Sequence, residues 1–480
     1  MAGSLLEPDT KEINSQQINY PYYVENPCRE NKVAKFLEAF AAVLSFTDYK
    51  SLLDSYCMTN TKCNRCAVAC PVYTATQDYR DIPCYRTNLL LNVYRRYFTI
   101  NGWLKSRFSL NSFTLTDEII DEMADLFYRC TACRRCTNEC PLGVDHGLIT
   151  RLGRYILSLI GIVPKALQVS VREQLEGQTH NTSKIPKNAL LNTLEFLSEE
   201  MEENLGIKVE FPVDKMDKEY IFFCAVSDYL LEPDTLMGNA AVLYAAGDWD
   251  KWTIGTGNYD GINYGLFYND WHLENIVKQL VSEVKRLNSA NILIGECGHA
   301  SRTAHDFVPV FNGKKSYHVM NFMEYTWDCI QKGKIKLNPN IITEKITYHD
   351  PCNIARSGWI VNQPREIIKS FAKNFVEMEP HGQNNYCCGG GGGLVSIDEI
   401  HKFRMEIGGY TKAKQIEETG AEIVVSPCAN CKKQLRELVE FYKLPCKVIG
   451  LHDLILQVIE VPGGKSPEER WKMKKEFETN

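Results

Sequence analysis

The sequence predicts an α+β multidomain fold: a helical, cysteine-clustered amino-terminal half followed by two tandem α/β units. Three observations carry this. Cysteine runs of metal-binding spacing stand at 57–70 and 130–140, with helical patterns between them. From about residue 218, apolar β-branched runs alternate with helical patterns, as parallel sheets require. Those runs recur with cysteine loops at matching places, so the second half reads as a duplication.

Composition bounds the rest. At 480 residues the chain exceeds one hydrophobic core, and its 44% apolar and 24% charged content is that of a soluble protein. A net charge of −6 with no basic arm gives no nucleic-acid footprint, so no nucleic-acid partner is expected. The start, "MAGSLLEPDTKEIN", lacks a basic region followed by an apolar stretch, so no signal peptide is expected. "FLEAFAAVLSF" (37–47) and "YILSLIGIV" (155–163) are too short to span a bilayer; they read as buried or amphipathic helices, the second alternatively as a docking helix. A cytoplasmic location is expected, where 19 cysteines, most of them in tight clusters, mean metal or redox sites rather than disulfides.

Residues 1–50 read as an N-terminal helical extension and 51–160 as a two-cluster domain. "YRCTACRRCTNECPLG" contains Cys130, Cys133, Cys136 and Cys140-Pro141, a C-x2-C-x2-C-x3-C-P run. This is the bacterial ferredoxin spacing, in which three thiolates bind one [4Fe–4S] cube and the fourth reaches its neighbour. A zinc ribbon needs two separated C-x2-C pairs and fits less well. The earlier copy, "YCMTNTKCNRCAVACPVY", keeps Cys63, Cys66 and Cys70-Pro71 but has Asn60 in the first position. Either Cys57, three residues upstream, completes a four-iron cube through a longer loop, which is the favoured reading, or the site holds three irons. Crossed ligation groups Cys63, Cys66 and Cys140 at one cluster and Cys130, Cys133, Cys136 and Cys70 at the other. Between the runs, Thr116 followed by apolar residues at 119, 120, 123, 126 and 127 predicts a capped helix. Cys28 and Cys84 have no partners in sequence and read as structural thiols.

A polar, acidic stretch within 161–217 reads as a linker containing a surface helix. Strands are then expected at 219–229, 291–300, 345–353 and 421–430, with weaker candidates at 239–247 and 446–455. The two copies are 218–335 and 336–460, followed by a tail, 461–480. In the second, Cys352 precedes "NYCCGG" (385–390) and "PCANC" (427–431). In the first, Cys224 is matched to Cys352, "NYDG" (258–261) to "NYCCGG" and "ECGHA" (296–300) to "PCANC", so the cysteine pair and the last cysteine are missing.

Cys352, Cys387-Cys388-Gly389, Cys428 and Cys431 resemble the motif of the CCG-domain family, the catalytic subunits of heterodisulfide reductases and their relatives. With the two ferredoxin runs the resemblance covers roughly residues 50–460 and is closest to HdrD-like and DsrK-like iron–sulfur subunits, including those of membrane complexes in sulfate-reducing microbes. It implies two tandem α/β CCG domains, the first degenerate. It also implies a noncanonical [4Fe–4S] site held by Cys352, Cys387, Cys388, Cys428 and Cys431, beside two ferredoxin-type [4Fe–4S] clusters. The implied activity is reduction of a disulfide or trisulfide in anaerobic sulfur or energy metabolism. The implied partners are a membrane cytochrome b-type subunit or an electron-transfer flavoprotein, and a DsrC-like sulfur-carrier protein. The chain would then lie on the inner face of the cell membrane through a partner subunit. An alternative is an electron-transfer subunit that links a flavoprotein to the quinone pool without S–S chemistry.

Breaking an S–S bond takes two electrons, whereas iron–sulfur cubes deliver one at a time, so the site must hold a half-reduced stage. Five thiolates also call for neutralising donors. The loop Gly389, Gly390, Gly391 can bring backbone N–H groups against sulfur because glycine lacks a Cβ. In "HDPCNIAR", His349 is the expected proton donor and Arg356 the expected orienting cation, with loop-shaping hydrogen bonds as the alternative for both. His299 mirrors His349 in the first copy, His381 and His452 read as structural, and Cys224 and Cys297 read as relics or structural thiols.

Overall fold

A computed structural model describes residues 20–108, 113–312 and 317–479. The first 19 residues of the expected helical extension lie outside the described residues. The chain forms two compact units. One comprises Met1–Val169, Tyr264–Leu273 and Tyr386–Lys412; the other comprises Ser170–Asn263, Glu274–Asn385 and Ala413–Asn480.

The first unit is helical. Lys32–Phe46, Pro83–Phe98, Asp117–Tyr128 and His146–Leu159 bury their apolar faces, including Phe36, Phe40, Leu90, Tyr94, Met123, Phe127 and Ile156. Thr116 caps the third of these, its hydroxyl accepting the N–H of Ile119, as the sequence period requires. Pro71 and Pro83 each stand in the first turn of a helix, where a missing N–H costs nothing. Thus the proline after Cys70 opens a helix as well as turning the chain. Tyr155, Ile156 and Leu157 of the "YILSLIGIV" stretch are buried. Among the described residues, no helix is long and apolar enough to cross a membrane.

The second unit contains two four-stranded parallel sheets. Strands β1 (Tyr220–Phe223), β2 (Trp252–Thr253), β3 (Asn291–Ile294) and β4 (His318–Asn321) lie in the order β2-β1-β3-β4. Strands β5 (Ile346–Tyr348), β6 (Phe375–Val376), β7 (Ile423–Val425) and β8 (Lys447–Ile449) lie in the order β6-β5-β7-β8. The order is the same in both sheets, and the cysteine loops follow the carboxyl ends of their two central strands, where open α/β sheets place sites.

Two strand expectations need correction. "NAAVLYAAG" (239–247) falls in helix Pro233–Ala245, whose residues are buried nearly all round, and a short apolar run in such a place has no period to distinguish it from a strand. Within 446–455 only Lys447–Ile449 is strand, and the rest belongs to helix Leu451–Val458. The acidic stretch forms helix Lys187–Leu205. Its opposite face (Leu190, Leu194, Leu197, Met201, Leu205) is buried in the same apolar core as residues of both sheets.

Candidate metal centres

The two ferredoxin-type runs share an unusual backbone. Lys62 and Asn64, on either side of Cys63, have φ of 58° and 58°; Ala132 and Arg134, on either side of Cys133, have φ of 52° and 60°. Non-glycine residues rarely adopt this left-handed conformation, and its repetition at equivalent positions marks a functional constraint. Alternating hand turns successive N–H groups to one side, the arrangement that cradles anionic groups.

Each run helps to line a cavity within this unit, and the cysteines sort by the crossed pattern. Cys70, Cys130, Cys133 and Cys136 line one cavity together with Arg86 and Thr131. The N–H of Ala132 donates to Cys130 Sγ at 3.4 Å, and Arg86 Nη2 stands 4.0 Å from the same sulfur. Burial pushes the Cys70 thiol up and the Cys136 thiol well up, so loading a metal there must displace protons. Four soft donors around one small cavity suit zinc or an iron–sulfur cluster, and the spacing of the run is that of the cluster.

Cys63, Cys66 and Cys140 line the other cavity, and the fourth thiol on it is Cys84, not Cys57. Cys57 sits on the last turn of helix Tyr49–Thr59, its carbonyl bonded to Arg95 Nη2 at 3.3 Å, and burial raises its thiol. The expectation that Cys57 completes this site therefore meets a different geometry. Helix Pro83–Phe98 carries Cys84 to the cavity that the 60–66 loop surrounds. Cys28, by contrast, is a buried thiol donating to the carbonyl of Glu30 at 3.4 Å.

The CCG cysteines fall in both units. In the second, β5 ends at Tyr348, and Cys352 is the first residue of helix Cys352–Gly358. Likewise β7 ends at Val425, Cys428 precedes helix Ala429–Tyr442, and Cys431 lies in its first turn. All three cysteines are buried. Cys428 Sγ accepts the N–H of Gly298 at 3.4 Å, a donor contributed by the first copy.

His349 is fully buried, with Nδ1 3.3 Å from Asn385 Nδ2. The amide nitrogen can only donate, so Nδ1 accepts and the ring proton is on Nε2. Asn385 Nδ2 also donates to the carbonyl of Asp350 at 3.0 Å. Arg356 Nη1 donates to the carbonyls of Gln383 (3.0 Å) and Asn385 (2.6 Å), so this guanidinium shapes the segment preceding Cys387 in the chain. Sequence reading missed Arg365. It grips the Asp350 carboxylate with two N–H···O bonds of 2.8 Å each, and Asp350 in turn accepts the N–H of Gly382 at 2.8 Å.

In the first unit, Cys387 and Cys388 are buried, and the N–H of Gly389 donates to Cys387 Sγ at 3.4 Å. The Gly390 carbonyl accepts from Val395 N at 3.1 Å. Here the glycines also have a role beyond the expected one. A Cβ on Gly391 would lie 2.6 Å from the Thr131 carbonyl oxygen, and one on Gly392 (φ +67°) 2.8 Å from that of Cys130. The glycine loop therefore packs directly on the Cys130–Thr131 backbone, and Gly391 also adjoins Cys387 Sγ. Arg154, fully buried and also unread from sequence, ties the two: Nη1 donates to Gly392 O and Nη2 to Cys130 O, both at 2.7 Å.

The first copy keeps two buried thiols, Cys224 and Cys297. Cys297 caps helix Gly298–Phe311, accepting the N–H of Ala300 at 3.5 Å, and aligns with Cys428, which likewise precedes a helix. Cys224 directly follows β1, whereas the residue at the first position of the next helix, where Cys352 stands in the second copy, is Val226. The match of Cys224 to Cys352 is corrected accordingly. His299 lies 2.5 Å from Asn430 Nδ2, buried His452 bonds to Glu296 and Thr326, and exposed His381 faces Glu379.

Comparison with known proteins agrees with this geometry. Residues 55–144 match the 4Fe-4S dicluster domain family and residues 346–436 the cysteine-rich CCG domain family. The chain therefore carries a 4Fe-4S dicluster domain and a cysteine-rich CCG domain. It is 25% identical to the Hdr-like menaquinol oxidoreductase iron-sulfur subunit 2 of Archaeoglobus fulgidus, over 96% of this chain and 90% of that one. It is 24% identical to a subunit of the dihydromethanophenazine:CoB–CoM heterodisulfide reductase of Methanosarcina barkeri, over 83% of this chain and 93% of that one. The EtfAB:quinone oxidoreductase of Syntrophomonas wolfei is 23% identical over 91% of this chain and 63% of its own length. An oxidoreductase subunit of the heterodisulfide reductase-like kind follows from these similarities.

Proposed function

We propose that this iron–sulfur subunit carries electrons through two ferredoxin-type [4Fe–4S] clusters to a noncanonical [4Fe–4S] site, where a disulfide or trisulfide is reduced. Cys352, Cys387, Cys388, Cys428 and Cys431 hold that site, and residues 218–335 are a CCG domain that has lost its own. The observation that carries the reading is the packing of the glycine loop on Cys130–Thr131 under Arg154, because it brings Cys387 next to the loop of a ferredoxin-type cluster. When bound, the clusters supply single electrons; S–S cleavage to two thiols consumes two electrons and two protons. His349, with its proton on Nε2, is the group we assign to proton delivery. Gly298 and Gly389 supply N–H donors to Cys428 and Cys387 and so offset thiolate charge. Arg356 is reassigned to holding the 383–385 segment.

The proposed partners are a membrane cytochrome b-type subunit or an electron-transfer flavoprotein as electron donor and a DsrC-like carrier as substrate, with the chain peripheral on the inner membrane face. A second reading, electron transfer between flavoprotein and quinone without S–S chemistry, is favoured by the similarity to the EtfAB:quinone oxidoreductase. Anoxic paramagnetic resonance of the full chain separates the two. Adding thiols or disulfides should change the spectrum of one cluster and leave the ferredoxin-type signals alone; an unchanged spectrum favours the second reading.

A further inference from the structure

We propose that Cys84 is the fourth thiolate of the first ferredoxin-type site, in the place that the spacing of the run assigns to position 60. The run "TNTKCNRCAVACP" has lost its first cysteine yet keeps the left-handed pair at Lys62 and Asn64 that its intact counterpart shows at Ala132 and Arg134. A loop with no cluster to cradle would have no reason to hold that strain. The missing corner is filled from elsewhere. Cys84 lines the same cavity as Cys63, Cys66 and Cys140 and is the one further thiol on it.

Asn60 indicates that the corner has moved rather than vanished. Its Oδ1 lies 3.5 Å from Cys84 Sγ, so a side chain at position 60 and the thiol of Cys84 reach one point. The surroundings are those of a ligating sulfur. Asn88 Nδ2 donates to Cys84 Sγ at 3.4 Å. Asn60 Nδ2 in turn donates to Asn88 Oδ1 at 3.3 Å, which fixes which end of the Asn88 amide faces the sulfur. Pro83 in the first turn and the buried Ile82 anchor the start of the helix that presents Cys84. On binding, Cys84 releases its proton to solvent and contributes a thiolate; no electron is transferred.

This rests on the two-cluster reading of residues 51–160. Iron and acid-labile sulfide are measured on the full chain, anoxically purified, with paramagnetic resonance as a second readout. Cys84→Ala should lose about one iron per chain with the appearance of a three-iron signal, or about four irons with loss of that cluster. Cys57→Ala should keep the wild-type iron and spectrum. Moving the thiol back, in Asn60→Cys/Cys84→Ala, should restore the iron. Should Cys84→Ala fail to fold, Cys84→Ser, nearly the same size, should keep the fold and alter the spectrum of one cluster. Wild-type iron and spectrum in Cys84→Ala or Cys84→Ser, or loss of iron in Cys57→Ala alone, would overturn the assignment. Wild-type protein that carries no cluster iron in this domain would instead defeat the two-cluster reading itself.

Discussion

Replacing Arg365 with leucine removes the cation from a deeply buried ion pair whose Asp350 stands two residues from Cys352 in the chain. The Arg365 side chain is 6% exposed and that of Asp350 1%, and they meet through two parallel bonds of 2.8 Å. Arg365 also bonds Glu377 at 2.7 Å, the Val361 carbonyl at 2.7 Å, and covers the face of Tyr348. The Asp350 carboxylate would keep the Gly382 N–H but lose both charged donors. Leaving one partner of a buried pair alone costs about 3–5 kcal/mol. The Glu377 contact, on a side chain 27% exposed, adds at most about 1 kcal/mol. The assay is a double-mutant cycle by thermal or urea unfolding, with Asp350→Asn as the second change. The two losses should fall short of adding by about 1–3 kcal/mol, because the second removes the charge that the first exposes. Reductase turnover should fall as well, since Asp350 fixes the Gly382 turn and Asn385 through which the chain enters Cys387. Additive losses, or a single loss below about 1 kcal/mol, would refute the reasoning.

Two further expectations follow from the same packing logic. Gly391→Ala would push a methyl to within 2.6 Å of the Thr131 carbonyl, so it should separate the glycine loop from Cys130–Thr131 and slow reoxidation of the ferredoxin-type clusters by substrate in stopped flow; Gly143→Ala, with φ +66° and open space, should cost about 1 kcal/mol in stability and leave that rate alone. Burial alone would raise the Asp248 carboxyl, but hydrogen bonds from Lys251, Tyr325 and Lys334 outweigh it and hold the group below its ordinary value. A folded-state value below the unfolded one stabilises above about pH 4 and is lost as pH falls through the folded value, so Asp248→Asn should flatten the acid limb of the unfolding curve.

Much of the architecture was legible because local chemistry and global fold agree. Thr116 and the apolar spacing after it specify one capped helix, and β-branched runs ending in cysteine loops specify central parallel strands. Cysteine spacing likewise groups Cys63, Cys66 and Cys140 apart from Cys70, Cys130, Cys133 and Cys136. What escaped depends on long-range partners. Cys84 has no spacing signature, and its only advance notice was arithmetic: one run lacked a thiol at Asn60, while Cys84, like Cys28, stood outside any run. Arg154 and Arg365 look like ordinary solvent-facing charges in helical segments, yet their partners are carbonyls and a carboxylate supplied by distant or neighbouring turns. The run 239–247 misled because a fully buried helix leaves no polar stripe.

The most direct test of the central claim is a single turnover under anoxia, with the full chain prereduced and no other donor present. It is mixed with a heterodisulfide of two small thiols or, separately, with a DsrC-like carrier in its disulfide form. The account predicts that the wild-type chain releases thiols while its ferredoxin-type clusters reoxidise, two electrons for each S–S bond cleaved. In Cys388→Ala the same clusters should be reducible and stay reduced, with no thiol released. Wild-type clusters that stay reduced with both disulfides but pass their electrons to a quinone analogue, equally well in Cys388→Ala, would contradict it.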